Sequence, residues 1–158
     1  MKVILLTHER EVGRPTNTGI LALNLFPQWC SRVIWSRVAS NKEMLALLAS
    51  QQAVVLFPKL ERNLESDEKV IAVETETKFI DKLPDIIIIL DATWQEAWKM
   101  LRQSPYLIEA HKFAFPESTL SEFSLRRNQI QGGLCTVECI IEMCRLTGMG
   151  AEAADLEL

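Results

Sequence analysis

Several patterns that announce common chemistries are missing from this chain. No G-x-S-x-G, G-x-x-x-x-G-K or G-x-G-x-x-G run follows an apolar stretch, which removes the usual serine-hydrolase, nucleotide-hydrolysing and dinucleotide-binding readings. Histidine is scarce, with only His8 and His111, so a nucleophile-histidine-acid arrangement has little to build on. The four cysteines, 30, 135, 139 and 144, lack the second close pair or nearby histidine of a zinc site. A chain with a sizeable core does not need them as disulfides, so ordinary thiols and no metal are expected. No apolar run reaches membrane-spanning length, and the first residues lack the long apolar region and cleavage site of a secretory leader. A cytoplasmic protein with no membrane partner is expected. An excess of positive charge is missing too: 17 Lys and Arg face 21 Asp and Glu, for a net charge of −4. That argues against a surface devoted to nucleic acid, though a local basic patch is enough for an enzyme that visits RNA.

What is present is most explicit between residues 85 and 102. Five consecutive branched apolar residues, Ile86 to Leu90, leave no polar side chain for a solvent face, as in a central strand covered on both sides. Asp91 stands where that strand ends, and Thr93 is a good cap for a helix running through Trp94, Ala97, Trp98 and Leu101. A carboxylate is thereby expected at the C-terminal edge of a parallel sheet, where open α/β folds place their ligands.

The rest of the chain supplies the other layers. Residues 2–7 read as a buried strand, followed by His8, Glu11, Arg14 and the turn Thr16-Asn17-Thr18-Gly19 that leads into an apolar helix over 20–26. Such a strand, loop and helix start is suited to an anion, with Arg14 as a bidentate partner; the plainer alternative is that Thr16 or Asn17 only caps the helix. Strands are expected at 31–36 and 53–57 and a helix at 43–49, an alternation that calls for right-handed crossovers. Residues 59–69 read as a charged loop and 70–73 as a short strand. Ser104-Pro105 is a stop signal, and 111–115 a further short strand ending at Pro116. Residues 118–133 lack periodicity. A last helix begins near Leu134 or Cys135, carries Thr136 and Glu138 in its first turn, and is ended by Gly148 and Gly150. One α/β domain over 1–150, a mostly parallel sheet flanked by helices, is the expected architecture, with 151–158 a frayed acidic tail.

Three stretches resemble the DTW-domain family: Asp91-Ala92-Thr93-Trp94 after an apolar strand; His8-x-x-Glu11 followed by Arg14-Pro-Thr-Asn17-Thr18-Gly; and Gly-Gly-Leu134-Cys-Thr136-Val-Glu138 preceded by Ser124-Leu125-Arg126-Arg127. That family is similar to the SPOUT methyltransferases, so the resemblance implies a SPOUT-like fold with a C-terminal trefoil knot. It implies transfer of the 3-amino-3-carboxypropyl group of S-adenosylmethionine to N3 of a uridine in tRNA. On that resemblance Asp91, Thr93 and Trp94 are the expected catalytic residues. His8, Glu11, Arg14, Asn17, Thr18, Leu134, Thr136 and Glu138 would hold the S-adenosylmethionine, and Arg102, Arg126 and Arg127 the RNA. The Cys-rich amino-terminal segment of many members is absent, and Ala92, Trp98, Cys135 and Cys139 depart from the common pattern.

Transfer from a sulfonium donor needs mainly an oriented acceptor and the removal of one proton, for which Asp91 is the first candidate. Two other readings stand beside this one: a SPOUT-like RNA methyltransferase, and a non-catalytic module that binds S-adenosylmethionine or RNA. No obligate protein partner is evident. Arg32, Arg37, Lys42 and Lys99 complete the candidate basic residues. The reading requires Asp91, the arginine-and-asparagine turn and the start of the last helix to share a single cavity, with a hollow beside the carboxylate large enough for a nucleoside.

Overall fold

A computed structural model describes residues 1–15, 17–38, 40–57, 78–115 and 136–157. Five parallel strands form one sheet in the order β2-β1-β4-β3-β5, where β1 is Lys2–His8, β2 Cys30–Trp35, β3 Ala53–Leu56, β4 Ile86–Asp91 and β5 Lys112–Phe113. The continuous apolar runs of β1, β3 and β4 sit at the centre, since strands covered on both faces have no place for alternating polar residues. The edge strand β2 has a mixed pattern, with Ser31 and Ile34 exposed.

Helices cover both faces. Helices α1 (Gly19–Leu25), α5 (Thr136–Leu146) and α6 (Gly150–Glu157) pack one side, where Ala22, Phe26, Ile140, Met143 and Leu156 meet Val3, Leu5, Ile87 and Ile89. On the other side α2 (Lys42–Ala49), α3 (Trp94–Gln103) and α4 (Pro105–Glu109) bring Met44, Leu48, Trp98, Leu101 and Leu107 onto Ile4, Leu6, Val55 and Ile88. Alternation along each strand sends odd and even residues to different layers, which is why two separate cores form.

The order of strands fixes where a site belongs. From β1 the chain leaves through α1 for the edge strand β2, whereas from β4 it leaves through α3 and α4 for the opposite edge, β5. The strands β1 and β4 lie side by side with connections departing in opposite directions, so the crevice between their C-terminal ends is the topological switch point. Thr7 and Asp91 are the paired residues there.

Three expectations need correction. The acidic residues after 150 form α6 rather than a frayed tail: Ala153 and Leu156, three apart on one helical face, are buried against α5, and Arg145 pairs with Glu157. Gly148 does end α5. With φ +80°, it lets its own N–H reach Arg145 O at 3.4 Å and Met149 N–H reach Cys144 O at 2.7 Å, the double bond of a Schellman turn. Gly150, by contrast, opens α6. Likewise Ser104-Pro105 ends α3 but does not end helical structure, because Pro105 occupies the first turn of α4, where a missing N–H costs nothing. The segments expected to be a charged loop and short strand, 59–69 and 70–73, lie outside the described residues. So does 118–133, on which the knot expectation depends.

Candidate functional site

Asp91 is 1% exposed and its carboxylate is the meeting point of four elements. Thr7 Oγ1, from the neighbouring strand β1, donates to Oδ2 at 2.9 Å. Asn17 Nδ2, from the loop before α1, donates to Oδ1 at 2.9 Å, and Thr136 Oγ1, from the start of α5, donates to the same oxygen at 2.7 Å. Arg32 Nη2, from β2, reaches Oδ2 at 3.5 Å. A carboxylate offers about four lone-pair directions, and each has a donor. Burying a charge is tolerable only on such terms.

The three motif segments therefore do meet. Gly19 lets them approach: a Cβ there would stand 3.0 Å from Leu5 Cδ1, 3.2 Å from Asp91 Oδ2 and 3.2 Å from Thr136 Cγ2. Thr18 does not cap its own helix by its side chain. Its Oγ1 instead accepts Val137 N–H at 3.1 Å, stitching the loop before α1 to the first turn of α5. Asn17 is no simple cap either, because its amide bridges Glu11 Oε2 at 3.1 Å and Asp91, while its Oδ1 accepts from Arg32 at 3.0 Å.

A second cluster lies against the first. Arg14 donates from Nη1 to Glu11 Oε1 at 2.6 Å, and forms a two-pronged pair with Glu96 through Nη1 at 2.9 Å and Nη2 at 3.0 Å. Glu96 is also half of a capping box: it takes Thr93 N–H at 3.1 Å, while Thr93 Oγ1 accepts Glu96 N–H at 3.2 Å. Burial pushes the Glu96 carboxyl up. The opposing hydrogen bonds of Arg14 and Thr93 and the charge of Arg14 prevail, and hold it at about 2. The same hydrogen bonds, from Glu96 first and then Glu11, raise the Arg14 guanidinium above its usual value.

His8, the last residue of β1, stacks on Trp35 with centroids 5.3 Å apart and planes at 25°. Its Nδ1 accepts Arg10 N–H at 3.1 Å, which puts the ring proton on Nε2. The same Nδ1 stands 3.8 Å from Glu96 Oε2. Thr93 is exposed and starts α3 with Trp94, whose side chain lies outside the described residues, as do Leu134, Arg126 and Arg127. Glu138 is buried in the first turn of α5, and Arg102 is exposed in the last turn of α3.

Three participants escaped the sequence reading or were underrated by it. Thr7 is a polar residue inside an otherwise apolar buried strand, Glu96 completes the Thr-x-x-Glu pattern of a capping box, and Arg32 shares a strand face with Cys30 and Ile34. Each was a visible signal. Burial pushes the Cys30 and Cys144 thiols up to about 11, and no disulfide joins Cys30, Cys139 and Cys144. Among the described residues no group of three or more His, Cys, Asp or Glu is placed to hold a metal ion. None of the described helices is long and apolar enough to cross a membrane.

Comparison with family models gives a match over residues 1–157 to the one described as the DTW domain. No solved structure matches the chain.

Proposed function

The chain belongs to the DTW domain family, and from that premise we propose that it transfers the 3-amino-3-carboxypropyl group of S-adenosylmethionine to N3 of a uridine in tRNA. The observation that carries the reading is the convergence of all three motif segments on Asp91 at the switch point of a parallel sheet. A SPOUT-like relationship with a C-terminal knot remains part of the proposal.

S-adenosylmethionine supplies a carbon already activated by its sulfonium leaving group. The new bond joins uridine N3 to the terminal carbon of the propyl arm, the C–S bond breaks, methylthioadenosine departs with the electron pair, and the N3 proton goes to water. Arg14, Glu11 and Glu96 pair with one another beside the node, which fixes the loop before α1 against the start of α3, around the place such a donor would occupy. In this reading Asp91 is a positioning residue. With its lone pairs already engaged by Thr7, Asn17, Thr136 and Arg32, it fixes the geometry of the segments that grip the donor and does not collect the proton. The rate then rests on alignment, which alone can supply roughly 7–11 kcal/mol of barrier reduction. The exposed Thr93 at the head of α3 stands where an acceptor base would approach, with Trp94 the next residue in the chain, and Arg102, Arg126 and Arg127 would meet RNA phosphate.

Purified protein incubated with S-adenosylmethionine and unmodified tRNA should release methylthioadenosine and leave a uridine enlarged by the aminocarboxypropyl mass. Release of S-adenosylhomocysteine with a methylated product would replace this reading with a methyltransferase. Binding of the donor without any product would make the protein a non-catalytic module.

A further inference from the structure

Two arginines serve the node, and they are not alike. Arg14 directs both terminal nitrogens at the carboxylates of Glu11 and Glu96, so its charge is met at short range. Arg32 directs only Nη2 at the network, 3.0 Å from the neutral Asn17 oxygen and 3.5 Å from an Asp91 oxygen already bound by Thr7. Its Nε is buried and has no acceptor among the described residues. No hydrogen bond joins Nη1 to another described residue. Of the five N–H donors of a guanidinium, the two on Nη2 are committed and three are left without an acceptor among the described residues. A buried N–H without a partner costs free energy that an arriving acceptor recovers.

The surroundings define which acceptor. Arg32 occupies the middle of the edge strand β2 with its side chain 17% exposed, and Ile34, two residues on and therefore on the same face, is 48% exposed. A phosphodiester contact on a folded RNA is ordinarily assembled from several cations on an open surface. One recessed guanidinium beside an open apolar side chain fits a carboxylate at the end of a short alkyl chain. Asn17 and Asp91 hold the guanidinium through Nη2 and leave Nε and Nη1 with no acceptor among the described residues, the preorganisation such a contact requires.

We propose that Arg32 binds the α-carboxylate of the donor's aminocarboxypropyl arm, with Ile34 lining the methylene chain. This rests on the reading of S-adenosylmethionine as donor. It makes Arg32, which none of the three motif segments contains, the specificity residue for the amino-acid end of that molecule.

Calorimetric titration tests the assignment without turnover, using S-adenosylhomocysteine, which keeps the arm, and methylthioadenosine, which lacks it. Arg32→Met should weaken S-adenosylhomocysteine roughly 30-fold and leave methylthioadenosine within about 2-fold, with Arg32→Lys in between. Should the variants not fold, wild-type protein still decides the matter: S-adenosylhomocysteine lacking its carboxylate must bind about 30-fold more weakly than the parent. Equal loss of both ligands in Arg32→Met would make Arg32 a structural residue only. No loss of either, with weaker and less salt-sensitive tRNA binding, would assign it to phosphate; both results overturn the inference. Failure of wild-type protein to bind either ligand would instead remove the donor reading beneath it.

Discussion

Asp91 and Lys112 are both fully buried ionisable groups in the same sheet, and both have every hydrogen-bonding direction satisfied. Their partners differ in kind. Asp91 is held by side chains 84, 74, 59 and 45 residues away in sequence, drawn from β1, the loop before α1, β2 and α5. Lys112 Nζ donates to the carbonyls of Leu107, Ile108 and Ala110, at 2.7, 2.8 and 2.8 Å and no more than five residues distant. Burial, and secondarily the charge of Lys78, pushes its ammonium down to about 8; three acceptors for three N–H groups still match the protonated form at neutral pH. One buried charge closes a local turn at the end of α4. The other ties distant segments into a single site. The lesson is that burial and satisfaction alone do not identify function; the sequence distance spanned by the partners separates a plug from a junction.

The contrast can be broken most severely at Asp91. Replacing it with Ala leaves four donors facing each other, two on threonines, one on an amide and one on a guanidinium, and should cost roughly 4 kcal/mol in urea unfolding, together with donor binding. Lys112→Met comes next. It strands carbonyl oxygens, which tolerate loss of a partner better than N–H groups, and it removes a desolvated cation, so about 2 kcal/mol is expected. S-adenosylhomocysteine affinity should remain that of wild type, and a matching loss would erase the distinction between the two groups.

Smaller changes sharpen the comparison. Gly19→Ala places a methyl 3.2 Å from Asp91 Oδ2, where four bonds prevent retreat, and 3.0 Å from Leu5. A loss of about 1 kcal/mol should appear in thermal melts even though Ala favours helix elsewhere. The mildest test is pH. Glu96 is held at about 2 against an ordinary 4.5, so its contribution is complete above 4.5 and disappears as pH falls toward 2. Melting curves of Glu96→Gln should have a shallower dependence across that window than wild type, and parallel curves would show that the Arg14 pair has no bearing on stability.

Much of the layout was legible along the chain. Ile86 to Leu90 announced a covered strand, Asp91 its end and Thr93 the following cap, because apolar runs and capping residues report local structure directly. Gly148 was readable as a helix stop for the same reason. The acidic terminal helix was not, since charge outweighed the small apolar pair Ala153 and Leu156 that holds it. Thr18 shows a different failure: the caps expected of this turn were Thr16 or Asn17 for the helix that follows, whereas Thr18 accepts from the first turn of α5, far along the chain.

Sequence by itself determined which residues enter the sheet and which end up buried, because periodicity encodes how water is excluded from each segment. Only tertiary structure decided that β4 lies beside β1, so that Thr7 meets Asp91, and that β2 closes the edge from which Arg32 reaches across. Hydrophobic pattern specifies that a face is covered and carries no record of what covers it. The identity of the partners around a buried carboxylate is settled when strands choose their order, through directional hydrogen bonds that no local window contains.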